Sequence, residues 1–405
     1  MISVSKLLCG AAAEGDGLRY GDPSNAEGIR QRRQERPVVV WNATKRCNLA
    51  CVHCYAGAET ERAPGELSTP EAKGLLDDLA DYGVPVVLFS GGEPLVREDL
   101  VELVAYADGV GLRPVLSTNG TLVTEERASE LKEAGLAYAG VSVDGLSERN
   151  DRFRGQEGAF DAAVRGMRAC QSVGLKTGLR YTVTEANVDD LEGVVDLLAD
   201  EGVDRFCFYH LDYGGRGGEI VDVDLDPEAR REAVRTVCEL TRDYHARGEE
   251  IETLLVGNYA DAAYLVEYAR RELGESVARE VERYLRVNGG DPAGERVADV
   301  DYQGNVHPTQ FWQGYSLGNV RDRPFGAIWD DESNPLVRAL RERPDNLEGR
   351  CADCQYVDLC RGGSRLRALA VEDDLFAPDP QCYLTPAERG ADDGGHGDGD
   401  PAAAD

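Results

Sequence analysis

Seven of the eleven cysteines in this 405-residue chain fall into two groups whose spacing suits metal chemistry. The first reads Cys47-Asn-Leu-Ala-Cys51-Val-His-Cys54-Tyr55, a C-x3-C-x2-C pattern. Three thiolates so close can reach three irons of a cubane and leave the fourth iron without a protein ligand. An open iron can chelate the amino and carboxylate groups of S-adenosylmethionine (SAM), placing its sulfonium where one electron breaks a C–S bond. Zinc is the rival, but it prefers four ligands in paired knuckles, and His53 does not complete that spacing. The second group, Cys351, Cys354, Cys360 and Cys382, has the pattern C-x2-C-x5-C-x21-C. Four thiolates can close around a cluster completely, which suits electron transfer or structure. They can equally hold a structural zinc. Cys170, Cys207 and Cys238 stand singly and read as buried packing, while Cys9 lies in an N-terminal segment that the sequence leaves mobile.

The elements that must position the first group follow from periodicity. From Pro37 to about Arg216, β-branched runs alternate with amphipathic stretches, giving expected strands at 37–43, 85–90, 112–117, 137–143, 175–184 and 203–209. The helix punctuation is legible at one place: Thr69 as N-cap, Pro70 at the first turn and Gly83 as the stop. Six strand–helix units imply a parallel α/β sheet, and they fall short of the eight of a closed barrel. The expectation is a partial (βα)6 TIM barrel with chemistry on the loops after the strand C-termini. Four consecutive strand ends carry suitable groups. The cysteine loop follows the first, and Ser90-Gly91-Gly92-Glu93-Pro94 follows the second, with glycines for close approach and Glu93 as an acceptor for an ammonium. Ser117-Thr118-Asn119-Gly120 follows the third and Ser142-Val143-Asp144-Gly145 the fourth, small polar groups suited to ribose hydroxyls. Arg180, on the fifth strand, is placed to pair with a carboxylate.

The expected organisation is an N-terminal segment over 1–36, the barrel core over 37–218, a helical connector over 219–295, a cysteine-bearing domain over 296–387 and a disordered acidic tail over 388–405. The chain carries 75 acidic against 44 basic residues, a formal charge of −31. Such a surface repels nucleic acid and anionic lipid. Only Lys6, Lys45, Lys73, Lys132 and Lys176 are lysines, and the acidic excess is spread along the chain. That distribution reads as solvation in a salt-rich cytoplasm, as in halophilic archaea, with an ordinary acidic protein as the alternative. No signal-peptide pattern or membrane-length apolar run is present, so a cytoplasmic location without a membrane is expected.

With these motifs in view, the chain resembles the radical SAM superfamily over nearly its whole length. The resemblance implies a reducible [4Fe–4S] cluster on Cys47, Cys51 and Cys54, with SAM contacts from Tyr55, Gly91, Gly92, Glu93, Ser117, Asn119, Ser142, Asp144 and Arg180. The C-terminal group resembles a SPASM-type extension with ligands for one auxiliary [4Fe–4S] cluster, Cys351, Cys354, Cys360 and Cys382. Two further cysteine positions of that pattern are Thr309 and Ser364 here, so a second auxiliary cluster is not expected.

The longer stretches RPVVVWNATKRCNLACVHCYA, LFSGGEPLVREDL, DRFRGQEGAFDAAVRGMRAC, FYHLDYGGRG and YSLGNVRDRPFGAIWDD resemble the radical SAM enzymes of alternative haem biosynthesis. The resemblance is to the 12,18-didecarboxysiroheme deacetylase branch, with the haem d1 branch next. It implies removal of two acetate side chains from an iron tetrapyrrole to give Fe-coproporphyrin III, with electrons from a low-potential donor such as ferredoxin or flavodoxin. Such a substrate is a flat polyanion, and the segment after the sixth strand offers His210 as an iron ligand or proton donor, Tyr213 as an aromatic wall and Arg216 for a propionate. His307 is a second candidate. The haem d1 reaction on propionates, a peptide-maturing SPASM enzyme and a non-catalytic metal-binding protein are the alternative readings.

Overall fold

In the computed structural model, residues 1–21 and 36–391 are described. The six expected strands appear within two residues of their expected ends: β2 (Val38–Thr44), β3 (Val86–Gly91), β4 (Arg113–Thr118), β5 (Tyr138–Ser142), β6 (Thr177–Val183) and β7 (Arg205–His210). They pair in sequence order, all parallel. Parallel strands joined by helices put every strand C-terminus on one edge, so five of the connecting loops and β7's exit face a common cleft.

The sheet extends beyond six strands at both ends. Residues 219–295, expected as a helical connector with helices from Pro227 to His245 and from Asn258 to Leu285, also contain β8 (Glu252–Val256) in the gap between those helices, pairing parallel with β7. The short run ETLLV alternates too briefly to be separated from a helix by periodicity. At the other side β9 (Val297–Val300) pairs parallel with β2, and β10 (Asn305–His307) and β11 (Gly318–Asn319) follow antiparallel. The N-terminal β1 (Ile2–Ser3) pairs antiparallel with β8. The sheet therefore stays open, ordered β1-β8-β7-β6-β5-β4-β3-β2-β9-β10-β11.

Two apolar clusters sandwich this sheet to its helices. One gathers Trp41, Phe89, Leu76 and Leu79 around β2 to β4, and the other gathers Tyr181, Phe206, Phe208 and Tyr264 around β6 to β8. Helix Thr69–Tyr82 buries Leu75, Leu76 and Leu79 as expected, but its N-cap is Ser68, one residue earlier, which shares a capping box with Glu71. Gly83 closes the helix at φ +88°. The connector helices are Pro227–Ala246, Ala260–Glu272 and Glu275–Asn288, the last two parted by Gly274.

The chain's ends also depart from expectation. Cys9 ends helix Val4–Cys9, and burial pushes its thiol up; it lies away from the cleft, against the side of Cys238 and Arg242. Residues 388–391 are held, since Arg231 pairs with Glu388, and the rest of the acidic tail lies outside the described residues. Cys170, Cys207 and Cys238 are buried. Among the described residues no helix is long and apolar enough to cross a membrane.

Candidate functional site

A cleft, partly open to solvent, lies at the C-terminal ends of the parallel strands. Cys47, Cys51 and Cys54 all line it, together with Tyr55, Gly91, Gly92, Ser117, Asn119, Ser142, Arg180, His210 and Arg216 from the sequence reading. The cysteine loop is held from several sides. Leu49 N donates to Cys47 Sγ at 3.4 Å, and Ala58 N to Cys54 Sγ at 3.4 Å. Burial pushes the Cys47 thiol up to about 12, so a thiolate there needs a compensating cation such as a metal centre.

The double glycine explains how loop and sheet meet. Gly91 sits at φ +114°, and a Cβ on it would lie 2.4 Å from Thr44 O. A Cβ on Gly92 would lie 2.2 Å from Arg46 O. The close approach is thus to the backbone leading into the cysteine loop, and it fixes where the thiols emerge. Beyond β7, Gly215 packs on the same loop at φ +53°, with Tyr55 O 2.3 Å from its hypothetical Cβ. Next to it Arg216 donates from Nε to Cys51 O at 2.9 Å and from Nη1 to Ala58 O at 3.0 Å. Arg216 Nη2 is buried and has no hydrogen-bond partner among the described residues.

The remaining cleft residues form a polar belt. Tyr55 Oη donates to Asn42 Oδ1 at 3.1 Å, lies 2.9 Å from Ser90 Oγ, and its ring stands edge-on to Phe311 at 5.2 Å. Arg180 donates to Ser117 Oγ and lies 4.8 Å over the Tyr209 ring. Asn119 bridges to the cysteine loop, donating from Nδ2 to Asn48 Oδ1 at 2.9 Å.

Five residues expected on the site are engaged elsewhere. Glu93 is fully buried and accepts from Leu95 N (3.1 Å), Thr118 Oγ1 (2.8 Å) and Asn119 N (2.7 Å), tying the β3 loop to the β4 loop; it does not line the cleft. Asp144, also fully buried and off the cleft wall, accepts from Thr182 N at 2.7 Å and pairs with Arg154. Tyr213 turns away and donates to Asp224 at 2.8 Å. His210 has both ring nitrogens occupied: Arg230, which can only donate, faces Nδ1 at 3.2 Å, so the proton sits on Nε2, 3.0 Å from Asp261. It is neither a free iron ligand nor a free acid. His307 lies outside the cleft, Nδ1 at 2.6 Å from Tyr315 O and Nε2 at 3.4 Å from Asp301. Against the effect of its burial, Asp301 and Asp299 hold its pKa above the usual value.

Arg154 is one residue the sequence reading missed. It lines the cleft, donates to Cys51 Sγ at 3.6 Å and neutralises Asp144. It lies in the noted stretch DRFRG, but an arginine inside a short polar helix, Ser147–Arg154, reads as a surface charge. Asp212, His53, Tyr209 and Phe311 also line the cleft without having been expected there.

Glu93 yields a pH-dependent expectation. Burial raises its carboxyl to about 7 from an unfolded value of 4.5. A raised acid stabilises the fold fully below pH 4.5, and that stability is lost as pH rises through about 7. Glu93→Gln, which has no such proton to lose, should therefore show a smaller fall in urea midpoint between pH 5 and pH 8 than the wild type. Equal falls would contradict it.

The other four cysteines line one cavity, with Arg350, Asp379 and Arg389 beside them. All eleven cysteines are free thiols. Gly362 N donates to Cys360 Sγ at 3.4 Å, and burial pushes the Cys360 thiol far up. Among the described residues no three His, Cys, Asp or Glu side chains are gathered tightly enough for a single metal ion. Each cysteine group edges its own cavity, and cysteine thiolates are the usual ligands of iron–sulfur clusters. Ser364 caps helix Arg365–Glu372, accepting from Arg367 N, and Thr309 Oγ1 accepts from Phe311 N at 3.3 Å. The two positions that lack cysteine therefore have local hydrogen-bonding work.

Comparison with known proteins agrees with this geometry. The radical SAM superfamily model matches residues 41–198, and an iron–sulfur cluster-binding (SPASM) domain model matches residues 292–355. The chain is 49% identical over 396 residues to the Fe-coproporphyrin III synthase of Methanosarcina barkeri, covering 96% of this chain and 99% of that protein. It is 40% identical to the pre-heme d1 synthase of Dinoroseobacter shibae, covering 89% of each. Among solved structures, Streptococcus suis SuiB bound to its precursor peptide SuiA superposes with a TM-score of 0.69 at 19% identity, covering 88% of this chain and 79% of that one. The AdoMet-bound enzyme anSMEcpe gives 0.67 at 19% identity, covering 86% and 94%. A SAM- and cluster-binding α/β core, a four-cysteine C-terminal domain and near-full-length identity place this chain in the radical SAM superfamily, in the SPASM-bearing group that contains the Fe-coproporphyrin III and pre-heme d1 synthases.

Proposed function

We propose that this protein is a radical SAM enzyme of siroheme-dependent haem biosynthesis that removes the two acetate side chains of 12,18-didecarboxysiroheme to give Fe-coproporphyrin III. The observation that carries this is the 49% identity to an Fe-coproporphyrin III synthase across 96% of the chain, against 40% to a pre-heme d1 synthase. A [4Fe–4S] cluster on Cys47, Cys51 and Cys54 supplies the electron that cleaves SAM to methionine and a 5′-deoxyadenosyl radical. Cys351, Cys354, Cys360 and Cys382 hold the auxiliary cluster.

The chain's own residues then bind and orient. Tyr55, Gly91, Gly92, Ser117, Asn119 and Ser142 line the SAM end of the cleft, and Arg180 offers its charge to the SAM carboxylate. Glu93 and Asp144 act one step back, holding the Asn119 turn and Arg154 in place. Arg216, on the cleft wall, offers its charge to a tetrapyrrole carboxylate. The acetates leave saturated ring carbons, where no adjacent electron sink stabilises a carbanion. A radical route avoids that charge: hydrogen-atom loss from the neighbouring ring carbon permits β-scission, and ring aromatisation drives it.

The test is coupling. Reconstituted protein, incubated anaerobically with SAM and a low-potential donor of the ferredoxin or flavodoxin class, should form 5′-deoxyadenosine in proportion to added 12,18-didecarboxysiroheme, one per side chain lost. Formation at one rate with and without the tetrapyrrole would contradict the reading.

The acidic surface belongs to the same proposal, as an adaptation to a salt-rich cytoplasm of a halophilic archaeon. At a net charge of −31, screening alone saturates once the Debye length falls to about 3 Å near 1 M salt. A halophilic surface should keep raising the thermal midpoint from there to several molar KCl. A midpoint flat above about 0.5 M, where screening is already short-ranged, would reject the adaptation and leave the chemistry untouched.

A further inference from the structure

Asp212 is the single carboxylate among the residues lining the cleft. It stands two residues beyond β7, is 8% exposed, and its Oδ1 has no hydrogen-bond partner among the described residues. Its nearest cation is shared unequally. Arg367 Nη1 lies 3.9 Å from Asp212 Oδ2, whereas Arg367 donates to Asp379 from Nε at 3.0 Å and from Nη2 at 2.6 Å. Asp379 also accepts from Ser364 N (2.8 Å) and Gln381 N (3.0 Å). Of two buried carboxylates around one guanidinium, the one with more donors keeps its charge to lower pH, and Asp212, helped only by the Gly214 backbone N–H and the more distant guanidinium, holds its proton to higher pH. Burial indeed pushes Asp212 up to about 6, with Arg367 opposing and Asp379 and Asp291 adding, while Arg367 holds Asp379 below the usual range despite its burial.

The other groups on the wall are poor acids. Arg154, Arg180 and Arg216 do not release protons near neutral pH, and burial pushes the Tyr55 and Tyr209 phenols up. His210 is turned to Asp261 and His53 to Asp144.

We infer that Asp212 is the acid that protonates the two-carbon fragment released from the tetrapyrrole. The inference rests on the deacetylase reading. Homolysis of the ring-carbon to CH2 bond gives a ring double bond and •CH2COO⁻. That fragment leaves as acetate only on gaining one electron and one proton: •CH2COO⁻ + e⁻ + H⁺ → CH3COO⁻. The electron comes from a low-potential one-electron donor of the iron–sulfur or flavin class. The proton passes from the Asp212 carboxyl to the CH2 carbon, leaving the Asp212 carboxylate beside Arg367. An anionic substrate against Asp212 favours its protonated form further.

The experiment measures acetate and 5′-deoxyadenosine together, in anaerobic turnover of the cluster-loaded protein with 12,18-didecarboxysiroheme. Loss of a positioned acid costs roughly 100-fold, so Asp212→Asn should lose acetate formation about 100-fold more than 5′-deoxyadenosine formation. Asp212→Glu should restore part of the ratio. In the wild type the ratio should fall as pH rises through and beyond about 6, and in Asp212→Asn it should be flat. Wild-type turnover in D2O should give acetate carrying one deuterium. An Asp212→Asn protein with the wild-type ratio, or wild-type acetate without deuterium, would overturn the inference. Wild-type protein that forms 5′-deoxyadenosine with the tetrapyrrole but no acetate contradicts the deacetylase reading itself, which is a distinguishable failure.

Discussion

Replacing Cys47, Cys51 or Cys54 by Ala is expected to bring 5′-deoxyadenosine formation down to background, a loss of well over about 100-fold. Removing a group that only supports a metal ligand already costs 10–100-fold, and each of these thiols edges the cleft directly. On the proposed ligation, losing one would leave a second iron without a protein ligand. The three variants should behave alike, because the glycine turn at Gly91 and Gly92 fixes the loop as a unit against the 44–46 backbone. The absorption and paramagnetic signature of the cluster on Cys351, Cys354, Cys360 and Cys382 should survive, since those thiols line a separate cavity. Normal 5′-deoxyadenosine yield from any of the three variants would contradict the assignment.

The largest effect on stability is expected from Arg367→Met. Arg367 is fully buried and joins the C-terminal domain to the barrel: it binds Asp379, approaches Asp212 and donates to Leu211 O at 3.5 Å. Methionine keeps much of the volume but leaves Asp379 charged and unpaired. Removing one partner of a buried pair costs about 3–5 kcal/mol, a large part of a typical domain's stability. Asp379 also lines the four-cysteine cavity, so the auxiliary signature should weaken at urea concentrations where the wild type keeps it. An unchanged urea midpoint would mean that Arg367 contributes no net stabilisation.

What the sequence revealed and what it concealed separate along one physical line. The cysteine spacings are local, and parallel βα units put successive strand ends on one edge whatever their detail. The belt of Tyr55, Ser117, Asn119, Ser142 and Arg180 was therefore legible. Pairings between distant elements were not. His210 looks like a free histidine at a strand end until Arg230 and Asp261 arrive from two later helices. Tyr213 looks like an aromatic wall until Asp224 takes its hydroxyl. Glu93 and Asp144 stand in motifs that read as ligand contacts, yet burial made each a tie between loops. Asp212 gave no signal, because its distinction is one carboxylate oxygen left without a hydrogen-bond partner among the described residues, which only the fold reveals. In the fold itself, β8 was hidden by its five-residue length in the gap between two expected helices.

The most direct measurement is the mass of the tetrapyrrole product after anaerobic turnover of the reconstituted protein with SAM, a low-potential reductant and 12,18-didecarboxysiroheme. Loss of two acetate side chains, giving the mass of Fe-coproporphyrin III, is the expected result. Unchanged substrate, or a product that retains both acetates and has propionates replaced by oxo groups, would contradict it.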